Sequence, residues 1–316
     1  MTEARPGVIV ERPDLAIYDT RELPWTAFEG LPAGTVRKVL ARFPDGPDAG
    51  EPEAFIVYIP PGFSVPDLPY RHYHSTVEEL SYTLGGELPH WEYRSAAQQH
   101  GVYSKRRAGS AMHRLGGSVH GLEPGAVTQV GYTSLMVRTG TGNWIPEARF
   151  PEQTVRVDYE PGWVPAARLR EQQVEYGSGV ILDWPDLKIW DTDFMEWQPS
   201  AAMPGALWKP LARDAGGRVK MAVVTLPPGY VLRAHRHYHT YTQMGLTLSG
   251  QLPLCDWESA KSPGIVTVYK QGVWVVRRPG AIHGCAEGAE VGPDGWCGLF
   301  WTFGVTDGPE DTVDVD

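Results

Sequence analysis

Six of the ten histidines in this chain stand where they could share metal ions. His72 and His74 are two residues apart, and so are His237 and His239. In a strand, residues i and i+2 point to one face, so each pair can aim two imidazoles at one point. His120 and His283 come late in each half, each behind a Gly-containing turn, and can enter from a neighbouring strand. Glu79 follows the first pair closely enough to reach the same point, and Gln243 takes that place after the second pair. Three neutral imidazoles and a carboxylate suit Fe(II), Mn, Ni, Zn or Cu. Three imidazoles and an amide leave the full dipositive charge on an ion, so the second centre should hold metal less tightly or be more Lewis acidic. Glu79 is also the expected catalytic residue: a carboxylate that loosens from a metal can take a proton, which an amide cannot.

The spacing runs His72-x-His74-x4-Glu79-x6-Gly86, then Gly117-x-x-His120, and later Pro279-Gly280-x-x-His283. It resembles the two motifs of the cupin superfamily, G-x5-H-x-H-x3,4-E-x6-G and G-x5-P-x-G-x2-H-x3-N. The likeness covers nearly all of both halves, so the chain is similar to a bicupin. It implies an all-β fold of tandem cupin barrels (jelly rolls, or double-stranded β-helices), each with a metal centre. Flanking stretches, D-T-x4-W, then K-x-L-x-R, then Pro-Pro-Gly, are similar to one cupin branch. That branch includes the cupin domain of zinc-binding anti-sigma factors and the 2,4′-dihydroxyacetophenone dioxygenase type. Departures exist. Gly62 lies further ahead of His72 than the motif asks, because Val65 to Tyr70 is inserted. The second half has Gln243 for Glu, as His237-x-His239-x3-Gln243-x6-Gly250, and it offers another register, Gly229-x5-His235-x-His237. A degenerate, structural second centre therefore stays an alternative.

The elements that must position these residues are written twice. VIVERPDLAIYDT at 8–20 and VILDWPDLKIWDT at 180–192 share eight of thirteen positions without a gap. Arg71-His72-Tyr73-His74 matches Arg236-His237-Tyr238-His239, and Leu84 to Pro89 matches Leu248 to Pro253. Order kept over this many blocks marks a repeat. The expected division is an N-terminal cupin domain over 1–160, a linker over 161–178 with helical character closed by Gly177, and a C-terminal cupin domain over 179–316. Apolar, β-branched runs predict strands at 53–60, 219–227, 265–269, 273–276 and 298–305. Tyr70, Trp91, Tyr132, Trp257 and Trp301 are candidate cavity walls, with ordinary core packing the plainer reading. Cys285 shares strand parity with His283, as a buried inert thiol.

Composition narrows the function classes. The formal net charge is −10 and no basic cluster occurs, against nucleic acid or an anionic membrane as partner. Three cysteines without a C-x-x-C pair fit a reducing, cytoplasmic compartment. The residues after Met1 lead into no apolar stretch of a secretory signal, and no segment approaches a membrane span. The leading expectation is an Fe(II)-type dioxygenase taking O2 and a small hydroxyketone, enol or phenolic substrate. A metal-dependent isomerase or lyase is the alternative. A non-catalytic metal- or small-molecule-binding sensor ranks third, since no separate helical segment with Cys and His is found. Oligomeric state stays open, a homo-oligomer included.

Overall fold

In a computed structural model, residues 5–28, 31, 33–41, 53–64, 70–74, 77–95, 97–98, 100–123, 125–139, 154–156, 177–200, 203–232, 235–286, 288–303 and 312–315 are described. Regular structure among them is all β-strand. The first half supplies β1 (Val8–Glu11), β2 (Leu15–Asp19), β3 (Thr26–Ala27), β4 (Val36–Ala41), β5 (Glu53–Ile59), β6 (Tyr70–His74), β7 (Glu78–Tyr93), β8 (Val102–Arg107), β9 (Ser110–Arg114), β10 (Val119–Leu122), β11 (Tyr132–Thr139) and β12 (Thr154–Arg156). The second supplies β13 (Ser178–Trp184), β14 (Leu187–Met195), β15 (Gln198–Pro199), β16 (Leu207–Pro210), β17 (Met221–Leu226), β18 (His235–His239), β19 (Thr242–Trp257), β20 (Ile265–Lys270), β21 (Val273–Arg277), β22 (Ile282–Cys285), β23 (Trp296–Phe303) and β24 (Thr312–Asp314). The predicted strands are present as β5, β17, β20, β21 and β23, with ends moved by a residue or two. No helix of the described residues is long and apolar enough to cross a membrane.

Each compact unit is a two-leaved barrel built on one long strand. In the unit Trp25–Glu196, the first part of β7 pairs with β9 and β11, and its second part with β8 and β10. One leaf therefore runs β13-β14-β9-β7-β11-β5-β4-β3 and the other β12-β6-β10-β7-β8. The strand changes leaf at Gly86, whose φ is +72°. A Cβ there would collide with the backbone carbonyl of Gly131, so only glycine fits. Gly250 does the same in the long strand β19, against Gly295. These are the glycines at the end of each first motif, and the reason is steric. Between the leaves, Phe55, Val57, Leu88, Leu122 and Tyr132 form part of the core of this unit. Tyr132 and Trp91 thus serve packing.

The compact units do not follow the repeat boundary. One is Trp25–Glu196; the other joins Met1–Pro24 to Trp197–Asp316. The opening hairpin of each repeat is spent on the barrel of the other. β2 pairs with β21, placing Leu15 opposite Arg277. β14 pairs with β9, placing Leu187 opposite Arg114. The division at 160 and 179 is therefore a division of the repeat and not of the compact units. Similar hairpins present similar apolar faces, so sequence likeness does not say which barrel each will cover. Of the expected linker, 161–176 lies outside the described residues, and Ser178 already opens β13.

A chain beginning at Trp25 tests this exchange. It lacks Leu15 and Ile17, both fully buried against Val273 and Val275 in the second unit's core. Losing two such side chains should cost roughly 3–6 kcal/mol. Urea unfolding is expected to show the transition of the unit holding β15–β24 moving to lower denaturant, with the other held in place.

Candidate metal centres

Strand pairing brings the predicted histidines together. β6 and β10 are neighbours, and His72 stands directly opposite His120. β18 and β22 repeat this, with His237 opposite His283. In each group the ligand atoms of the three histidines lie within 4.8 Å of one another. These are the two such groups among the described residues. Burial pushes His72 and His120 well below the usual histidine range, and His74 to about 4. It does the same to His237, to about 4, and to His283. All five rings are therefore neutral at pH 7 and keep a lone pair. His120 Nδ1 donates to the Ser118 carbonyl at 2.9 Å, and His283 Nδ1 to that of Ala281 at 2.9 Å. A carbonyl only accepts, so the proton is on Nδ1 and Nε2 is bare. Neutral imidazoles converging with bare nitrogens are the donor set a divalent transition metal takes.

Glu79 comes from the other leaf. Its oxygens are 3.7 Å from His74 Nε2 and 3.9 Å from His120 Nε2. It also receives Arg138 at 2.8 Å and Arg114 at 3.0 Å. Burial alone would raise this carboxyl. Arg138, His74 and Arg114 outweigh it and hold the group well below the ordinary carboxylate range. A carboxylate so held remains ionised and beside the triad, and the same two guanidiniums work against its taking a proton.

The residues behind the triad were not singled out from sequence. Glu92 stands opposite His120 in the β10–β7 pairing. It is fully buried and accepts from Arg106 at 2.6 Å and from Arg114 at 2.9 and 2.8 Å. His90, two residues earlier on the same face, lies 2.9 Å from Glu92 and stacks on His120 at 5.6 Å. Burial lowers its pKa to about 4, against the pull of Glu92. The second centre keeps a smaller version. Asp256 stands opposite His283 and accepts from Arg277 at 3.0 Å and from the Tyr269 hydroxyl at 3.2 Å. Arg277 also donates to the Gln243 side-chain oxygen at 3.2 Å. A signal existed: Arg114 and Arg277 precede the third histidine by the same interval, and Glu92 and Asp256 occupy one repeat position.

Register pairs Glu79 with Arg138 and Gln243 with Thr302. Where the first half sets a carboxylate opposite a guanidinium, the second sets an amide opposite a hydroxyl. The exchange removes one charge of each sign together, so neither is left unpaired in the interior.

Of the remaining sequence candidates, the Tyr70 side chain lies outside the described residues. Trp301 packs on Trp274 at 5.8 Å, and Trp257 lies under the Arg236 guanidinium. Cys285 is pushed up to about 11, chiefly by burial, and so stays a thiol. His235 is half-exposed and stacks on His237 at 4.4 Å, at the edge of the second triad.

This fold has solved counterparts. A candidate dioxygenase from Nostoc punctiforme matches over 97% of this chain and 88% of its own, at 12% identity and a TM-score of 0.60. The oxalate decarboxylase of Lactobacillus farciminis, as a formate complex, matches over 97% and 89%, at 11% identity and a TM-score of 0.57. A variant of oxalate decarboxylase from Bacillus subtilis matches over 95% and 79%, at 12% identity and a TM-score of 0.56. No family model and no curated protein matches the chain. The fold is the tandem-barrel, bicupin fold of these structures.

Proposed function

We propose that this chain is a metal-dependent cupin enzyme, an Fe(II)-type dioxygenase acting on a small hydroxyketone, enol or phenol. The observation that carries this is the neutral triad His72, His74 and His120 with an ionised Glu79 beside it. Bound there, Fe(II) would supply a Lewis acid and the electrons for O2 chemistry. His72, His74 and His120 would hold it, with Glu79 as the fourth ligand. Arg114 and Arg138 orient that carboxylate and keep it ionised. The buried leaf behind the triad excludes water from that side. In the second centre His237, His239 and His283 are the ligands, with Gln243 as a weak neutral fourth. That centre serves structure or binds metal without turnover.

The lyase reading has its own support, since two of the structural counterparts are oxalate decarboxylases. The two readings separate cleanly. Protein purified without a tag is assayed for metal by elemental analysis, then for oxygen uptake on a panel of phenolic ketones. Iron with oxygen uptake is the expected result. Metal-dependent turnover without uptake would replace the dioxygenase with a lyase or isomerase. Metal without turnover of any tested compound would favour a sensor.

A further inference from the structure

Arg277 settles which way the Gln243 amide is turned. Its Nη1 donates to Gln243 Oε1 at 3.2 Å. A guanidinium has donors only, so the amide atom facing it is the oxygen, and the nitrogen lies on the other side. Glu79 is held in the same manner, its Oε2 accepting from Arg114 Nη1 at 3.0 Å. Its other oxygen, Oε1, lies 3.7 Å from His74 and meets Arg138 at 2.8 Å. The two side chains hold matching register positions, Glu79 between Arg114 and Arg138 and Gln243 between Arg277 and Thr302. Gln243 Nε2 is therefore the counterpart of that second oxygen, on the side of Thr302 and His239.

No group among the described residues accepts from that nitrogen; the Gln243 side chain is hydrogen-bonded to Arg277 alone. Thr302, which faces it across the sheet, donates its hydroxyl to the Val219 carbonyl at 3.0 Å. The second centre thus presents N–H donors where the first presents a carboxylate oxygen closed off by a guanidinium. Charge at the flanking positions moves the same way. Glu53 stands opposite Arg138, and Lys220 takes its place beside Thr302, its carbonyl accepting from the Thr302 amide at 3.0 Å. Two carboxylates and a guanidinium in the first half are answered by an ammonium, an amide and a hydroxyl in the second. Arg277 itself is matched by Asp256 at 3.0 Å.

Free amide hydrogens beside a positive charge suit a ligand that only accepts. We propose that the second centre is a binding site for a small oxyanion, a carboxylate or a phosphate group, which accepts hydrogen bonds from Gln243 Nε2. Arg277 is the positioning residue that keeps the nitrogen turned outward. An ionised acceptor makes a stronger hydrogen bond than water does, which is what lets an anion displace solvent there. The second lone pair of Oε1 stays available to an ion, so the inference goes beyond the metal reading and does not require it.

The test uses full-length protein freed of metal with a chelator. It is titrated with sodium acetate and, separately, with inorganic phosphate, with sodium chloride at equal ionic strength as control. The Gln243 side-chain amide is followed by 15N–1H correlation, its signals being those absent from Gln243→Met. Saturable movement of those signals with at least one oxyanion, and none with chloride, is expected. The anion that binds tells a carboxylate site from a phosphate site. Methionine keeps the length of the side chain and removes the donors without adding charge. Binding to Gln243→Met, read from the Thr302 backbone amide, should be about 10–100-fold weaker, the size expected for a hydrogen bond to a charged group. Gln243→Glu restores a carboxylate beside Arg277, keeps the fold, and should abolish binding. No saturable movement with either oxyanion, equal movement with chloride, or undiminished binding in Gln243→Met or Gln243→Glu overturns the proposal. Co(II) uptake by wild type and His283→Ala, measured apart, tests the metal reading of this centre. Equal uptake by the two would sink that reading and leave the oxyanion site standing.

Discussion

Glu79→Gln is expected to destabilise the unit Trp25–Glu196 by about 3–5 kcal/mol, the usual cost of breaking a buried ion pair. Glu79 lies between Arg114 and Arg138 and is 2% exposed in its side chain. An amide of the same shape can accept from one guanidinium, but it no longer neutralises either. The second centre shows how such a change is tolerated, because Gln243 faces Thr302 there. Glu79→Gln combined with Arg138→Thr should therefore recover most of the lost stability. A double-mutant cycle by urea unfolding measures this. The coupling idea is wrong if the single variant unfolds like wild type, or if the double variant is the least stable of the set. Activity should behave differently from stability. Glu79→Gln is expected to lower kcat much more than metal content, and the double variant should stay slow although it is stable. Gln243→Glu should leave the main activity nearly unchanged. That divergence separates a role for the carboxylate at the metal from a role in holding the barrel together.

His120→Ala and His283→Ala should divide the two centres. Each removes one of three converging imidazoles, so each should lose the metal of its own half. The loss in affinity should exceed the roughly 10–100-fold that changes to outer partners cost. Turnover is expected to disappear with His120→Ala and to persist with His283→Ala. The reason is charge: the first triad has an ionised carboxylate beside it, whereas the second has an amide held by Arg277. The double variant His72→Ala with His74→Ala should behave as His120→Ala does. Metal content measured alongside turnover is essential, because a variant that binds no metal says nothing about the chemistry of the other half. Activity lost only in His283→Ala would transfer the reaction to the second centre. Full occupancy of both centres in the His72→Ala/His74→Ala protein would refute the ligand assignment.

The sequence by itself determined the local placements. His-x-His can only put both rings on one strand face, and the third histidine recurs at matching distance in both halves. Pro-Pro-Gly turns and β-branched runs made the segments strands, and the repeat made the barrel count two. The glycines Gly86 and Gly250 were visible as motif positions, although their steric reason lies in strands that come close only on folding. Tertiary structure alone decided the rest. Glu79 meets Arg114 and Arg138 because β9 and β11 flank β7 on one leaf, and nothing in the local sequence of Glu79 announces either partner. Charge pairing of this kind depends on which strands are neighbours, while burial pattern depends only on which face a residue occupies. The exchange of hairpins was hidden for a related reason. The two hairpins are near copies with similar apolar faces, so the sequence of a hairpin does not say which barrel it covers. Likewise the sequence placed Gln243 after the second histidine pair, and only the pairing of β19 with β21 set it across from Arg277.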